Sequence, residues 1–207
     1  MDHRSISLER WLIKLQGMHT REIDLSLQRI ATVWSRVNNK LFANSVRGSN
    51  SVLTFSVAGT NGKGSCVMAM ESILQAHGYL VGTYTSPHLF HYNERIRVSG
   101  APVSDEIIVE AFEFIESECK SIPLTYFEYS TLAALWIFET LAVQVRLLEV
   151  GLGGRLDAVN IVSPDVAVVT SIALDHQYWL GSTKADIAIE KLGITRAGKP
   201  LVWGERS

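Results

Sequence analysis

Cysteine is scarce in this 207-residue chain, which carries only Cys66 and Cys119. Two cysteines without ligand spacing exclude a disulfide framework and a thiolate zinc site, so reduced thiols and a cytoplasmic location are expected. An excess of charge of either sign is missing too. Nineteen basic against 21 acidic residues leave a net charge of −2, which excludes a general attraction to nucleic acid or to acidic membranes. No apolar run is long enough to span a bilayer: the most apolar stretch, 131–143, carries Glu139 and is too short. No N-terminal stretch has the basic-then-apolar form of a signal peptide. Repeats and low-complexity tracts are absent as well. What remains is an ordinary globular composition, long enough for one domain with a stable core.

Against those absences stands one dense feature. Val52-Leu53-Thr54-Phe55-Ser56-Val57 is an apolar, strand-like run, and Ala58-Gly59-Thr60-Asn61-Gly62-Lys63-Gly64-Ser65 follows it directly. Helical spacing then covers 66–76. A strand, a glycine-rich turn and a helix in this order aim backbone N–H groups, an ammonium and a helix N-terminus at one point, which suits a polyphosphate. Gly59, Gly62 and Gly64 allow the close approach such a cradle needs. The loop departs from the common Gly-x-x-x-x-Gly-Lys-Ser/Thr form: Val57 stands where the leading glycine would, and Gly64 separates Lys63 from Ser65. Lys63 is expected on the β- and γ-phosphates of a nucleotide, with Thr60 or Ser65 giving a hydroxyl to phosphate or Mg²⁺. The competing reading is a glycine-rich turn with a solvated lysine.

Apolar spacing predicts amphipathic helices over 6–16, with Leu8, Trp11, Leu12 and Leu15 inward, and over 24–37, with Leu27, Ile30, Val33 and Val37 inward. The polar stretch 38–51 reads as a connection. Beyond the loop, 80–84 reads as a short strand, and Ser104 caps a helix extending to about Glu118. A further helix is expected from about Phe127 to Leu141. Continuous apolar runs at 145–150 and 166–170 suit parallel strands covered on both faces. A last helix is expected over 185–195, and 199–204 looks like the start of a strand. This alternation predicts an α/β fold: a doubly wound, mostly parallel sheet with helices on both faces.

Ligands in such sheets gather at the carboxyl ends of the strands. Those ends carry Thr85-Ser86-Pro87-His88-Leu89, a Glu149-to-Asp157 segment rich in glycine, and Thr170-Ser171-Ile172-Ala173-Leu174-Asp175-His176. Ser86, Glu149 and His176 beside a nucleotide would suit Mg²⁺, which prefers oxygen ligands and keeps several waters. Structural readings compete: Glu149 as a cap or a partner of Arg155, Ser86 as a shaper of the turn at Pro87, His176 as a hydrogen-bonded structural histidine. Cys66, Trp11 and Trp136 are assigned to the core.

Taken with Asn93-Glu94-Arg95-Ile96, Leu124-Thr125-Tyr126-Phe127-Glu128-Tyr129 and Glu190-Lys191-Leu192-Gly193-Ile194, these segments occur in the order found in folylpolyglutamate synthases. From about Leu8 to Gly204 the chain resembles the bifunctional dihydrofolate synthase/folylpolyglutamate synthases of the Mur ligase superfamily, whose central domain is P-loop NTPase-like. The resemblance implies an ATP-dependent ligase of folate biosynthesis, joining the amine of L-glutamate to a carboxylate of dihydropteroate or a folate through an acyl phosphate. By matching position, Gly59, Thr60, Asn61, Gly62, Lys63, Gly64 and Ser65 would hold ATP. Ser86 and Glu149 would hold one Mg²⁺, and His176 a second. Lys63, His176 and Lys191 are the implied catalytic residues. Lys191, which by itself reads as a solvated helix position, matches a lysine that the family carbamylates, and carbamylation needs a neutral amine and so a lowered pKa.

Thr125, Tyr126, Phe127 and Glu128, with Leu156, Asp157 and Ala158, match the pterin-binding positions. Phe127 would face the flat ring, and Asp157 would accept from ring nitrogens. His19 and Asp24 fall in a stretch that approaches the same pocket in the family. The chain departs at Leu192 and Val159, where alanine and threonine are usual, and at Gln177-Tyr178. The resemblance also implies that 1–207 is an N-terminal ATP-binding domain lacking a C-terminal glutamate-binding domain. It would be a monomer without nucleic-acid or membrane partners, and inactive alone. Other readings are a Mur ligase acting on UDP-muramoyl peptides, a non-catalytic nucleotide-binding module, and the product of a broken gene.

Overall fold

The structure is a computed structural model and describes residues 7–18, 23–43 and 52–204. The strands among these are β1 (Leu53–Ala58), β2 (Val81–Tyr84), β3 (Ile96–Val98), β4 (Ala101–Pro102), β5 (Val145–Glu149), β6 (Val166–Val169) and β7 (Leu201–Trp203). They form one sheet in the order β4-β3-β2-β5-β1-β6-β7. From β2 to β7 all neighbours run parallel, as the continuous apolar runs predict. β3 and β4 are added antiparallel at one edge. Ser99 (φ 50°) and Gly100 (φ 79°) link these two strands, the paired left-handed residues of a two-residue hairpin. The sequence reading missed this hairpin because strands so short carry almost no periodicity.

The helices are α1 (Leu8–Met18), α2 (Gln28–Ala43), α3 (Lys63–Ala76), α4 (Asp105–Cys119), α5 (Tyr126–Thr140), α6 (Gln177–Leu180) and α7 (Lys184–Leu192). α2 continues past Val37 into the stretch expected to be a connection, where Lys40 bonds the buried Glu118 of α4. Leu8, Trp11 and Leu15 of α1 and Ile30, Val33 and Val37 of α2 are buried as expected; Leu12 is half-buried. Both helices lie on α4 and α5.

Alternation along the strands separates two cores. Val57, Val145 and Leu147 join Val67 of α3, while Ala58, Tyr84 and Leu148 join the larger core with α4 and α5. Each fully buried leucine or valine contributes on the order of 1.5–3 kcal/mol. Trp11 and Trp136 are core residues; Cys66 is only half-buried, against the smaller cluster. α5 is buried almost all round and seats closely on β2: a Cβ on Gly82 would lie 2.5 Å from Phe138 Cδ1. Among the described residues no helix is long and apolar enough to cross a membrane.

Candidate functional site

β1 ends at Ala58 and α3 begins at Lys63, so 59–62 make the turn. Gly59 has φ 150°, and a Cβ there would lie 1.9 Å from Thr170 Oγ1. Gly62, at φ 79°, is the N-cap of α3, and no side chain caps the helix. First-turn N–H groups have no partner within a helix, so this end presents donors and a positive dipole to an anion.

Thr60 turns inward. Its N–H donates to the Ser171 carbonyl at 2.7 Å, and its hydroxyl donates to the Ala173 carbonyl at 3.2 Å and accepts the Ala173 N–H at 3.0 Å. Thr170 Oγ1 donates to the Asn61 carbonyl at 2.7 Å. These bonds tie the loop to the end of β6. The exposed Ser65 hydroxyl, without a hydrogen bond among the described residues, is therefore better free to meet a phosphate than Thr60.

Lys63 Nζ and Lys191 Nζ donate to the same Gly59 carbonyl, at 3.1 Å and 2.9 Å. Two cations at one neutral oxygen leave an electrostatic opening for an anion. Lys191 is 5% exposed. Burial first, then the charge of Lys63, bring its pKa down to about 8, with Asp175 and Asp157 opposing. A neutral amine is thus accessible near physiological pH.

Glu149 ends β5 on the face that Val145 and Leu147 turn toward α3, which brings its carboxylate under the loop. Its Oε2 accepts the Ser86 N–H at 3.1 Å, and a Cβ on Gly64 would lie 3.7 Å from both its oxygens. Burial raises its pKa, opposed by the Ser86 N–H, by Lys63 and by the Gly64 N–H. The partner imagined for it, Arg155, instead bonds Glu190 at 2.7 Å. His176 is the N-cap of α6 at φ 46°, and its Nε2 lies 3.7 Å from Asp175 Oδ2. Among the described residues no three His, Cys, Asp or Glu side chains form a ready metal cluster. One buried carboxylate, a serine and an anion cradle suit a cation that completes its shell with water and phosphate oxygens, as Mg²⁺ does.

A cavity of about 910 Å³ adjoins Ser86 and His176. Residues 125–128 and 156–158 all line it. Several of these side chains already hold the fold. Thr125 caps α5, accepting the Glu128 N–H at 3.1 Å, and Glu128 accepts the Thr125 N–H in return at 2.7 Å. Glu128 Oε1 also takes Arg29 Nη2 at 3.2 Å, while Arg29 Nη1 bonds Asp24 Oδ2 at 3.1 Å. Asp157 is 2% exposed and accepts the N–H groups of Leu152 (2.8 Å) and Val159 (2.9 Å), yet burial pushes its pKa up to about 6. The Gly151 N–H also bonds this carboxylate, and with about four lone-pair sites on its two oxygens it keeps room for one more donor. The Phe127 ring lies 6.0 Å from Tyr84 and crosses so near Gly151 that a Cβ there would be 2.6 Å from Phe127 Cζ. Asp24 lines the cavity, whereas His19 lies outside the described residues.

Arg29 braces this cavity without having been named, and His88 and Arg95, quoted within motifs but given no role, line it. The Thr125-x-x-Glu128 spacing was a readable capping box. Arg29 offered no local signal, because its partner Glu128 lies 99 positions away.

A glycine-rich loop between a parallel strand and a helix, with a carboxylate from the neighbouring strand beneath it and a cavity alongside, belongs to the fold of Mur ligase-like N-terminal domains. No family model matches the chain. The dihydrofolate synthase/folylpolyglutamate synthase of Escherichia coli (strain K12) is 50% identical over 198 residues, 96% of this chain and 45% of that protein. The solved structure of E. coli FolC in complex with DHPP and ADP superposes with a TM-score of 0.91 at 49% identity, covering 97% of this chain and 47% of that one. The Yersinia pestis CO92 bifunctional enzyme complexed with AMPPNP and Mn ion gives 0.89 at 45%, covering 98% and 48%. The chain belongs to the dihydrofolate synthase/folylpolyglutamate synthase family, matches the N-terminal part of its members, and spans about half the length of the curated relatives it matches.

Proposed function

We propose that this chain is the portion of an ATP-dependent ligase that binds nucleotide, divalent metal and a pterin-bearing acid, in a protein adding L-glutamate to dihydropteroate or folates. One observation carries the reading. Ser86 gives its N–H to the Glu149 carboxylate beneath the phosphate loop and also lines the neighbouring cavity, so a phosphoryl donor and an acid would meet at one rim. Relatives solved with ADP and DHPP, and with Mn, AMPPNP and L-glutamate, support it.

On this reading the loop from Gly59 to Ser65 takes the β- and γ-phosphates, with Lys63 placed where charge builds during transfer. Ser86 and Glu149 would hold one divalent cation and His176 a second, and such a cation supplies charge neutralisation and alignment of phosphate oxygens. Tyr126 and Phe127 offer the aromatic wall for a flat ring, and the remaining Asp157 lone pair accepts from one of its N–H groups. The neutral Lys191 amine attacks CO₂, forming an N–C bond and releasing one proton to water, which leaves a carbamate anion where an ammonium stood beside Gly59. Capture of the glutamate amine is assigned to the C-terminal part that the relatives possess, so 1–207 is a half-site. It acts as a monomer in the cytoplasm, without a nucleic-acid or membrane partner.

Calorimetric titration of the chain with Mg·AMPPNP present tests this. Dihydropteroate is expected to bind, a UDP-muramoyl peptide is not, and ATP turnover with a folate and glutamate is expected to be undetectable. Binding of the muramoyl peptide in place of dihydropteroate would replace the substrate class. Full turnover would remove the half-site assignment.

A further inference from the structure

Arg95 lines the cavity, and nothing described so far gives its charge a use. Its carbonyl accepts the Thr85 N–H at 2.9 Å, which seats it beside the residue preceding Ser86. Its Nε donates to His88 Nδ1 at 2.7 Å. The guanidinium carbon lies 5.5 Å from the Tyr126 ring centroid and 5.8 Å from that of Tyr92. The side chain is therefore held by one hydrogen bond and two aromatic faces, none of them an anion.

The nearby acids are otherwise engaged. Glu94 accepts the N–H groups of Leu89, Phe90 and His91. Asp24 and Glu128 bond Arg29. His88 accepts the Arg95 Nε–H through the lone pair of its Nδ1, so this partner of the guanidinium is a ring nitrogen and not a carboxylate. A neutral acceptor orients a guanidinium without cancelling it. Neither Nη atom of Arg95 hydrogen-bonds a described residue.

We propose that Arg95 receives a carboxylate of the acid substrate, end-on through Nη1 and Nη2, and orients that acid toward the Ser86 rim. Nε is occupied by His88, so only the Nη edge remains, and its two parallel donors match the two oxygens of a carboxylate. The inference rests on the proposed function. Two sources share this chemistry: the aryl carboxylate of a pteroate, which is the reacting group, and the α-carboxylate of a folate, which is a bystander.

The test is binding by the 207-residue chain in Mg·AMPPNP, using pteroate against its carboxamide and folate against its α-carboxamide. Wild type is expected to prefer the acid on the order of ten- to a hundredfold in one pair. Arg95→Gln brings the ratio of acid to carboxamide affinity to about one. Arg95→Lys, which keeps the charge and loses the fork, retains part of it. A preference confined to the pteroate pair assigns the aryl carboxylate, and one confined to the folate pair the α-carboxylate. No preference in wild type, or a full preference in Arg95→Gln, overturns the proposal and leaves the proposed function standing. Should Arg95→Gln fail to fold, an undiminished preference in Arg95→Lys overturns it equally. Failure of wild type to bind either pteroate or folate removes the proposed function and this inference together.

Discussion

Between Ala58 and Ser65 the candidate phosphate-binding groups come from consecutive residues and largely from backbone, whereas the cavity wall draws on residues 15–16, 23–26, 86–88, 95, 125–128, 151–152 and 156–158. The two regions share a rim at Ser86, yet they divide labour differently. In the loop, the Ser65 hydroxyl bonds no described residue and Lys63 Nζ reaches only the Gly59 carbonyl, while the bonds of Thr60 to Ala173 and of Thr170 to Asn61 hold the turn from behind. In the cavity, Thr125, Glu128 and Asp157 face the space and at the same time cap helices or brace neighbouring chain. Damage to the loop should therefore appear as lost binding, and damage to the cavity as lost stability first.

Arg29→Met gives the largest expected effect. It leaves the Glu128 carboxylate, with a side chain only 4% exposed, without its cation, and breaking such a pair costs about 3 kcal/mol. The urea midpoint should fall accordingly, with pterin binding lost only as far as the fold is lost. A variant that unfolds normally but loses pterin affinity would erase the contrast. Lys63→Ala should weaken AMPPNP binding about a hundredfold by calorimetry, the loss of a charged hydrogen bond to phosphate. Its midpoint should hold or rise, because one of two adjacent ammonium groups has gone. A large stability loss here would show that Lys63 is structural after all.

Per pH unit, the smallest effect is a change of slope. The Lys191 pKa is depressed to about 8 in the folded chain, against about 10.4 unfolded. Between those values the unfolded chain binds more protons, so this residue makes stability rise with pH, by at most about 1.4 kcal/mol per pH unit. In bicarbonate-free buffer, wild type minus Lys191→Met should show that rise from pH 8 upward; a flat difference would place Lys191 in water rather than against Gly59.

The parallel strands, the helix that follows the loop, and the inward faces of α1 and α2 were readable because each is a periodicity within a few turns of chain. Glu149 was readable for a similar reason: two-residue alternation from Val145 and Leu147 carries it to the face of α3. Thr60 was not. Its hydroxyl looked available to phosphate until the end of β6, 113 positions on, came close enough to bond it. The hairpin at Ser99-Gly100 was too short for any pattern, and Arg95 became visible only once His88, Tyr92 and Tyr126 surrounded it.

The order of residues alone determined that a strand, a glycine-rich turn and a helix opening at Lys63 follow one another, since such a succession needs nothing distant to take shape. Which polar groups stay free to meet a ligand was decided by the tertiary structure. Burial drives most polar atoms to find a partner, and many of those partners arrive from strands and helices far along the chain.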